Sequence, residues 1–357
     1  MVLSDDAFKQ LSHSIACVRF PLVFAILLLH AYTAAPNVGH GSYFHILYPF
    51  ALWFGETGVP AYFFISGLLM FYSTKTYSQQ IKSRFRTLFI PYMLWNGLFL
   101  LAYVVVWLAG FHMEINYKSL DDFTAMDFVR AFWDRSDWDF GNCMPVLTPM
   151  WYIRNLMIMY LISPVVYYVI RATGPLVPIV AALFWINAHS VAFILQTLTM
   201  FCLGAYFPIN EINPIDFWKQ YKIHIIIFFA FFGVTDIFLH QGIITPDDLG
   251  FDPNLPVHRL ALIANTFFMI WLGTYLYDKN WRFPNLSKAA FFIFCTHYPI
   301  NAAIRSVANK FPQWSDGAHI LLYIVSVAAV TLICYSLFRI LSRYAPWFIR
   351  ISTGDRA

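Results

Sequence analysis

The chain has 357 residues, 59% hydrophobic, 20% aromatic and only 12% charged, with a formal net charge of +4. Soluble domains use roughly 25% charged residues, so a soluble globular enzyme is excluded and the composition is that of a polytopic membrane protein. Nucleic acid is not an expected partner; the lipid bilayer is.

Apolar runs long enough to span, about 17 to 25 residues each, fall near 15–35, 48–72, 87–109, 148–170, 175–190, 191–208, 223–240, 259–277, 288–306 and 318–340. The expected fold is therefore all-α, a transmembrane bundle of about ten helices. The run near 175–208 reads as two short helices or one re-entrant hairpin, because Asn187, His189 and Ser190 mark a tight turn. No linker, low-complexity tract or fixed-period repeat divides the chain, so residues 1–357 are expected to form a single membrane domain.

The first run contains Arg19 and His30. Eleven helical positions at 100° each bring them onto one face, within about 20°, and about 16 Å apart along the axis. This spacing predicts Arg19 near one membrane surface and His30 well inside the bilayer, where a titratable side chain marks a functional site or is satisfied by a neighbouring helix. The leader carries Asp5 and Asp6 and is long for a secretory signal, so the helix is expected to remain uncleaved.

The second run places Glu56 at a depth similar to His30. A carboxylate on one imidazole nitrogen raises the basicity of the other, the arrangement a general base requires. The same run contains Pro60, expected to free a backbone carbonyl, and Ser66 with Gly67, which permit close helix approach. Between the second and third runs, Lys75, Lys82, Arg84 and Arg86 form a basic cluster. It reads as a phosphate site or as an ordinary cytoplasmic anchor. On a regular helix Lys82 and Arg86 share a face that Arg84 does not.

The stretch Gly110 to Leu147 is acidic and aromatic, and is expected to lie outside the cytoplasm as a cap or an interfacial segment. The fourth run opens with Trp151 and Arg154, candidates for holding an acceptor, with Glu56 or Asp236 as alternative partners for the arginine. His297, in the ninth run, reads as a second polar wall or a structural histidine.

Lys and Arg concentrate in alternate loops, Asp in the opposite ones, which predicts both termini in the cytoplasm. Of five cysteines only Cys143 lies in an outer loop, so no disulfide framework is expected. Walker, HExxH and dinucleotide motifs are absent, and no metal is expected.

The chain resembles the acyltransferase 3 family of membrane proteins. The resemblance rests on Arg19 and His30 with ten residues between them, Phe63-Phe-Ile-Ser-Gly67, Arg84-Phe-Arg86 before Ile90-Pro-Tyr92, Met150-Trp-Tyr152 and Thr296-His-Tyr-Pro299. It implies a multi-pass protein of a bacterial plasma (inner) membrane. Its implied activity is transfer of an acyl group, usually acetyl from cytoplasmic acetyl-CoA, to a hydroxyl of a cell-surface glycan or related acceptor. By the same resemblance His30 is the catalytic base, Arg19 its essential partner, and Arg84 with Arg86 the contacts for CoA phosphates. Lys82 joins those two from its place in the basic cluster. Direct attack on the thioester and an acyl-His30 relay both remain open, as do acceptor, acyl length and homo-oligomer formation. The rival reading is a transporter or flippase in which Glu56, His30, Asp236 and Arg154 line a path.

Overall fold

The computed structural model describes residues 4–31, 47–111, 114–115, 118–134, 144–188, 192–243, 253–281, 283–308, 310 and 314–355. Its helices are α1 (Asp5–Ala31), α2 (Tyr48–Gly55), α3 (Gly58–Tyr72), α4 (Tyr77–Arg84), α5 (Ile90–Leu108), α6 (Ala125–Arg130), α7 (Trp151–Thr173), α8 (Leu176–Asn187) and α9 (Ala192–Ile209). They continue with α10 (Pro214–Gln220), α11 (Lys222–His240), α12 (Asn254–Asp278), α13 (Pro284–Ala308), α14 (Asp316–Tyr344) and α15 (Pro346–Thr353). A two-residue antiparallel pair, β1 (Glu114–Ile115) with β2 (Lys118–Ser119), is the one sheet among the described residues. The protein is an all-α polytopic bundle.

All ten predicted runs are helical over most of their described residues. Seven stretches among the described residues are each long and apolar enough to cross a membrane, and α9 with α10, bent by 103°, makes an eighth. The shortfall from ten has physical causes. With 12 residues, α8 is only about 18 Å long, less than the hydrocarbon thickness. Helix α13 carries Lys288, His297, Asn301 and Arg305. The turn at residues 189–191 and Cys143 lie outside the described residues, while Cys17, Cys202, Cys295 and Cys334 are buried.

Helix α1 is the hub of the bundle, packed against α2, α3, α12, α13 and α14. Its buried Leu11, Ile15, Val18 and Leu22 meet Phe64, Trp218 and Met269, while Val23, Ile26 and Leu27 meet Phe63 and Phe292. The tightest crossing is α3 on α9. A Cβ on Gly67 would stand 2.1 Å from the Phe201 carbonyl oxygen, and one on Gly204 2.0 Å from that of Phe64, so each glycine lets the other backbone approach. Pro60 does not free a carbonyl as expected, because it sits in the first turn of α3, where no intrahelical N–H is required. The chain instead breaks at Glu56–Thr57, and Asn265 of α12 closes the break by donating to the Trp53 carbonyl (2.9 Å) and the Thr57 hydroxyl (2.9 Å).

Both described ends of the chain lie at one end of the bundle. Gln10 reaches Asp278 at the close of α12, and Asp355 pairs with Arg86 (2.7 Å). This basic end gathers Arg84, Arg86, Lys288 and Arg350 around two cavities. At the far end, Leu120, Ala131 and Val146 of the outer stretch pack on Leu100 of α5, with Trp107 and Phe132 beside them.

Candidate active site

Pro21 interrupts the hydrogen-bond ladder of α1, and side chains of neighbouring helices take carbonyls of the turns around it. Tyr62 donates to the Arg19 carbonyl (2.6 Å) and Ser287 to that of Ala16 (2.6 Å). Both side chains line a cavity of about 590 Å³ between α1, α3, α7 and α13. Its basic mouth holds Arg84, Arg86, Lys288 and Asp355, Arg19 stands in its wall, and Val23, Tyr152 and Phe294 line it more deeply. A neighbouring cavity of about 460 Å³ shares Lys288 and Asp355 and adds Arg339 and Arg350.

The basic segment changes pitch at the mouth. Residues Phe85–Phe89 form a π-helical turn between α4 and α5, a feature frequent at functional sites. Arg84 packs its guanidinium over the Tyr160 ring (4.5 Å) and Arg86 pairs with Asp355, while Lys82 is exposed and does not line the cavity. Of the expected trio only Arg84 and Arg86 line the cavity, together with Lys288 and Arg19. Gly354 adopts φ +64°, and a Cβ there would stand 2.6 Å from Thr87, so the left-handed turn lets Asp355 reach this mouth.

Arg19 and His30 are both part-exposed on α1. The helix starts ten residues earlier than the apolar run, so Arg19 lies mid-helix and His30 in the last turn at the far end. The His30 ring meets His297 (5.2 Å between centroids) and, edge-on, Tyr298 (5.4 Å). His297 is completely buried, and its Nδ1 donates to the carbonyls of Phe294 (2.8 Å) and Ile293 (3.2 Å). Carbonyls only accept, so Nδ1 carries a proton, and in the neutral ring Nε2 keeps its lone pair. That Nε2 is buried without a hydrogen bond, as are both side-chain polar atoms of Asn301 one turn on. Buried unpaired polar atoms each cost about 1–3 kcal/mol, and a ligand with matching donors and acceptors would satisfy the three on this α13 face. Phe294 separates this surface from the cavity, its ring 6.0 Å from His297 and 5.9 Å from Tyr152.

Glu56 does not meet His30. The break between α2 and α3 turns its carboxylate to His258, whose Nε2 lies 3.1 Å away. Arg154 pairs with neither Glu56 nor Asp236. It is buried, donates to Asn155 Oδ1 (3.2 and 3.1 Å) and the Trp133 carbonyl, and ties the outer stretch to α7. Trp151 is also core, against Phe193 (4.4 Å) and Phe63 (6.0 Å). The residues proposed for a transport path thus fall into separate groups. Sequence reading missed Lys288, Tyr62 and Asn301 as site residues. Lys288 was legible only as a cytoplasmic charge, and Asn301 only by its place one turn after His297.

Residues 12–339 match the acyltransferase domain family known as acyltransferase 3. The chain belongs to the acyltransferase 3 family. It is also similar to the succinoglycan biosynthesis protein ExoH of Rhizobium meliloti (strain 1021), at 24% identity over 84% of this chain and 79% of that one. No solved structure matches it. A multi-pass membrane acyltransferase fits both the family and the apolar helices.

Proposed function

We propose that this acyltransferase moves an acyl group, acetyl in the first instance, from cytoplasmic acyl-CoA to a hydroxyl of a cell-surface polysaccharide. The observation that carries the reading is the cavity that begins among Arg84, Arg86 and Lys288 and ends at Phe294, one helical turn from the His30–His297 pair. Guanidinium groups suit phosphate oxygens, and the interior lined by Tyr62, Tyr152 and Phe294 suits an uncharged pantetheine arm. The polysaccharide is taken from the similarity to a succinoglycan biosynthesis protein of a bacterium, and a bacterial inner membrane is part of the same proposal.

His30 then takes the proton of the acceptor hydroxyl as its oxygen attacks the thioester carbonyl carbon. The C–S bond breaks, and the CoA thiolate leaves and recovers a proton from the imidazolium. Buried donors beside the carbonyl would stabilise the oxyanion, and the Asn301 amide, one turn after His297, is a buried donor without a partner. The deciding experiment uses purified chain, acetyl-CoA and polysaccharide. Wild type releases CoA thiol only with acceptor, whereas His30→Ala stays folded, binds CoA and releases none. Equal turnover by His30→Ala rejects the assignment, and substrate flux without thiol release turns the reading to transport.

A further inference from the structure

A second cluster at the far end of the bundle is not used by the transfer chemistry. Asp236 and His240 lie one turn apart on α11, and His258 enters from the first turns of α12. Gly233, one turn before Asp236, has no side chain, so the Trp53 indole lies against α11 and the α2–α3 break delivers Glu56 beside them; a Cβ on Gly233 would stand 2.6 Å from that indole.

The Asp236 side chain is fully buried. Its Oδ2 lies 3.0 Å from His258 Nδ1, and its Oδ1 lies 3.2 Å from His240 Nδ1. Oδ1 nevertheless makes no hydrogen bond; His240 Nδ1 also lies 2.9 Å from the Asp236 carbonyl, a contact that ligation through the Nδ1 lone pair would replace. A carboxylate oxygen buried without a donor is costly, and a cation would satisfy it. One ligand atom from each of Asp236, His240 and His258 lies within 4.8 Å of the others. With bonds near 2.0–2.1 Å, ligand atoms around tetrahedral zinc stand about 3.3 Å apart, inside the 4.8 Å span of this cluster. On the opposite edge of His258, Nε2 faces Glu56 Oε2 at 3.1 Å. A ligating histidine characteristically gives its second ring N–H to such a carboxylate, which fixes its tautomer.

We propose that Asp236, His240 and His258 bind a divalent transition-metal ion of the zinc type, with Glu56 orienting His258 from behind. Two imidazoles and a carboxylate are a zinc donor set that leaves one position open to water or a hydroxyl. The ion clamps the far ends of α11 and α12 to the α2–α3 break. The spacing Asp236-x3-His240 with His258 eighteen residues later forms no compact motif, so its members meet only through the fold.

The test uses tag-free, full-length protein in detergent, treated with chelator, with Zn²⁺ alone as probe. Calorimetry and metal analysis are expected to give one zinc per chain, and zinc raises the melting temperature. Asp236→Asn and His240→Asn weaken zinc binding at least about tenfold, while His224→Asn, a control for surface histidines, leaves it unchanged. His240 is 19% exposed at a helix end, so His240→Asn decides the matter if Asp236→Asn fails to fold. No stoichiometric zinc, or equal zinc affinity in wild type and His240→Asn, overturns the proposal. Because the readout is metal rather than acyl transfer, its failure leaves the catalytic reading standing.

Discussion

His297 shows how a residue's partners decide its role. Both carbonyls it meets belong to its own helix, so Nδ1 is occupied and Nε2 is left to face whatever lies beside His30. His297→Phe keeps a ring of similar size and removes that acceptor. We expect acyl transfer to fall about a hundredfold, with the melting temperature nearly unchanged because an unpaired buried atom goes with it. Full activity in His297→Phe would assign the histidine to packing alone. Arg84 and Lys82, two positions apart in sequence, make a second contrast. Losing a charge-assisted phosphate contact costs about 1.5–3 kcal/mol, which is roughly a tenfold to hundredfold weakening. Arg84→Ala is therefore expected to weaken CoA binding by that factor and Lys82→Ala by less than about twofold, measured by calorimetry. The Arg19–His30 face was legible because helical periodicity needs no tertiary information. The partner of His30 was not legible, since depth along separate helices says nothing about which way a break in one of them turns Glu56.

At the scale of elements, all ten apolar runs announced their helices, because a backbone in hydrocarbon must satisfy its own hydrogen bonds. What the pattern could not convey was interruption. The break at Glu56–Thr57 and the π-helical turn at Phe85–Phe89 depend on Asn265, Thr57 and the C-terminal residues packing there. The reciprocal contact of Gly67 and Gly204 was half visible, as a glycine able to admit another helix. A methyl group at either position meets backbone rather than a flexible side chain, so the helices must separate. Overpacking of this kind costs about 1–3 kcal/mol, so Gly204→Ala is expected to melt several degrees lower in detergent than wild type. Identical melting of the two proteins would mean that the crossing tolerates separation.

The whole molecule is asymmetric from end to end, and the proposed reaction depends on that asymmetry. Four cations crowd the mouth of the cavity, Arg84, Arg86 and Lys288 with Arg19 behind them, whereas its inner end is closed by Tyr152 and Phe294. A charged nucleotide can therefore be held at the basic end while only its uncharged arm travels inward, and Phe294 is the side chain that arm must displace to meet His30. Phe294→Trp would fill this passage without touching the cations, so transfer should fall at least about tenfold while CoA affinity changes less than about threefold; a parallel loss of both would place Phe294 in nucleotide binding instead. The same asymmetry predicts the side of entry. Because short cytoplasmic loops collect Lys and Arg, the charge pattern predicts that the basic end faces the cytoplasm, and membrane-impermeant acetyl-CoA should then be consumed by inside-out vesicles and left intact by sealed right-side-out ones. Consumption by the right-side-out vesicles would reverse the direction of transfer, and with it the assignment of the polysaccharide to the far end.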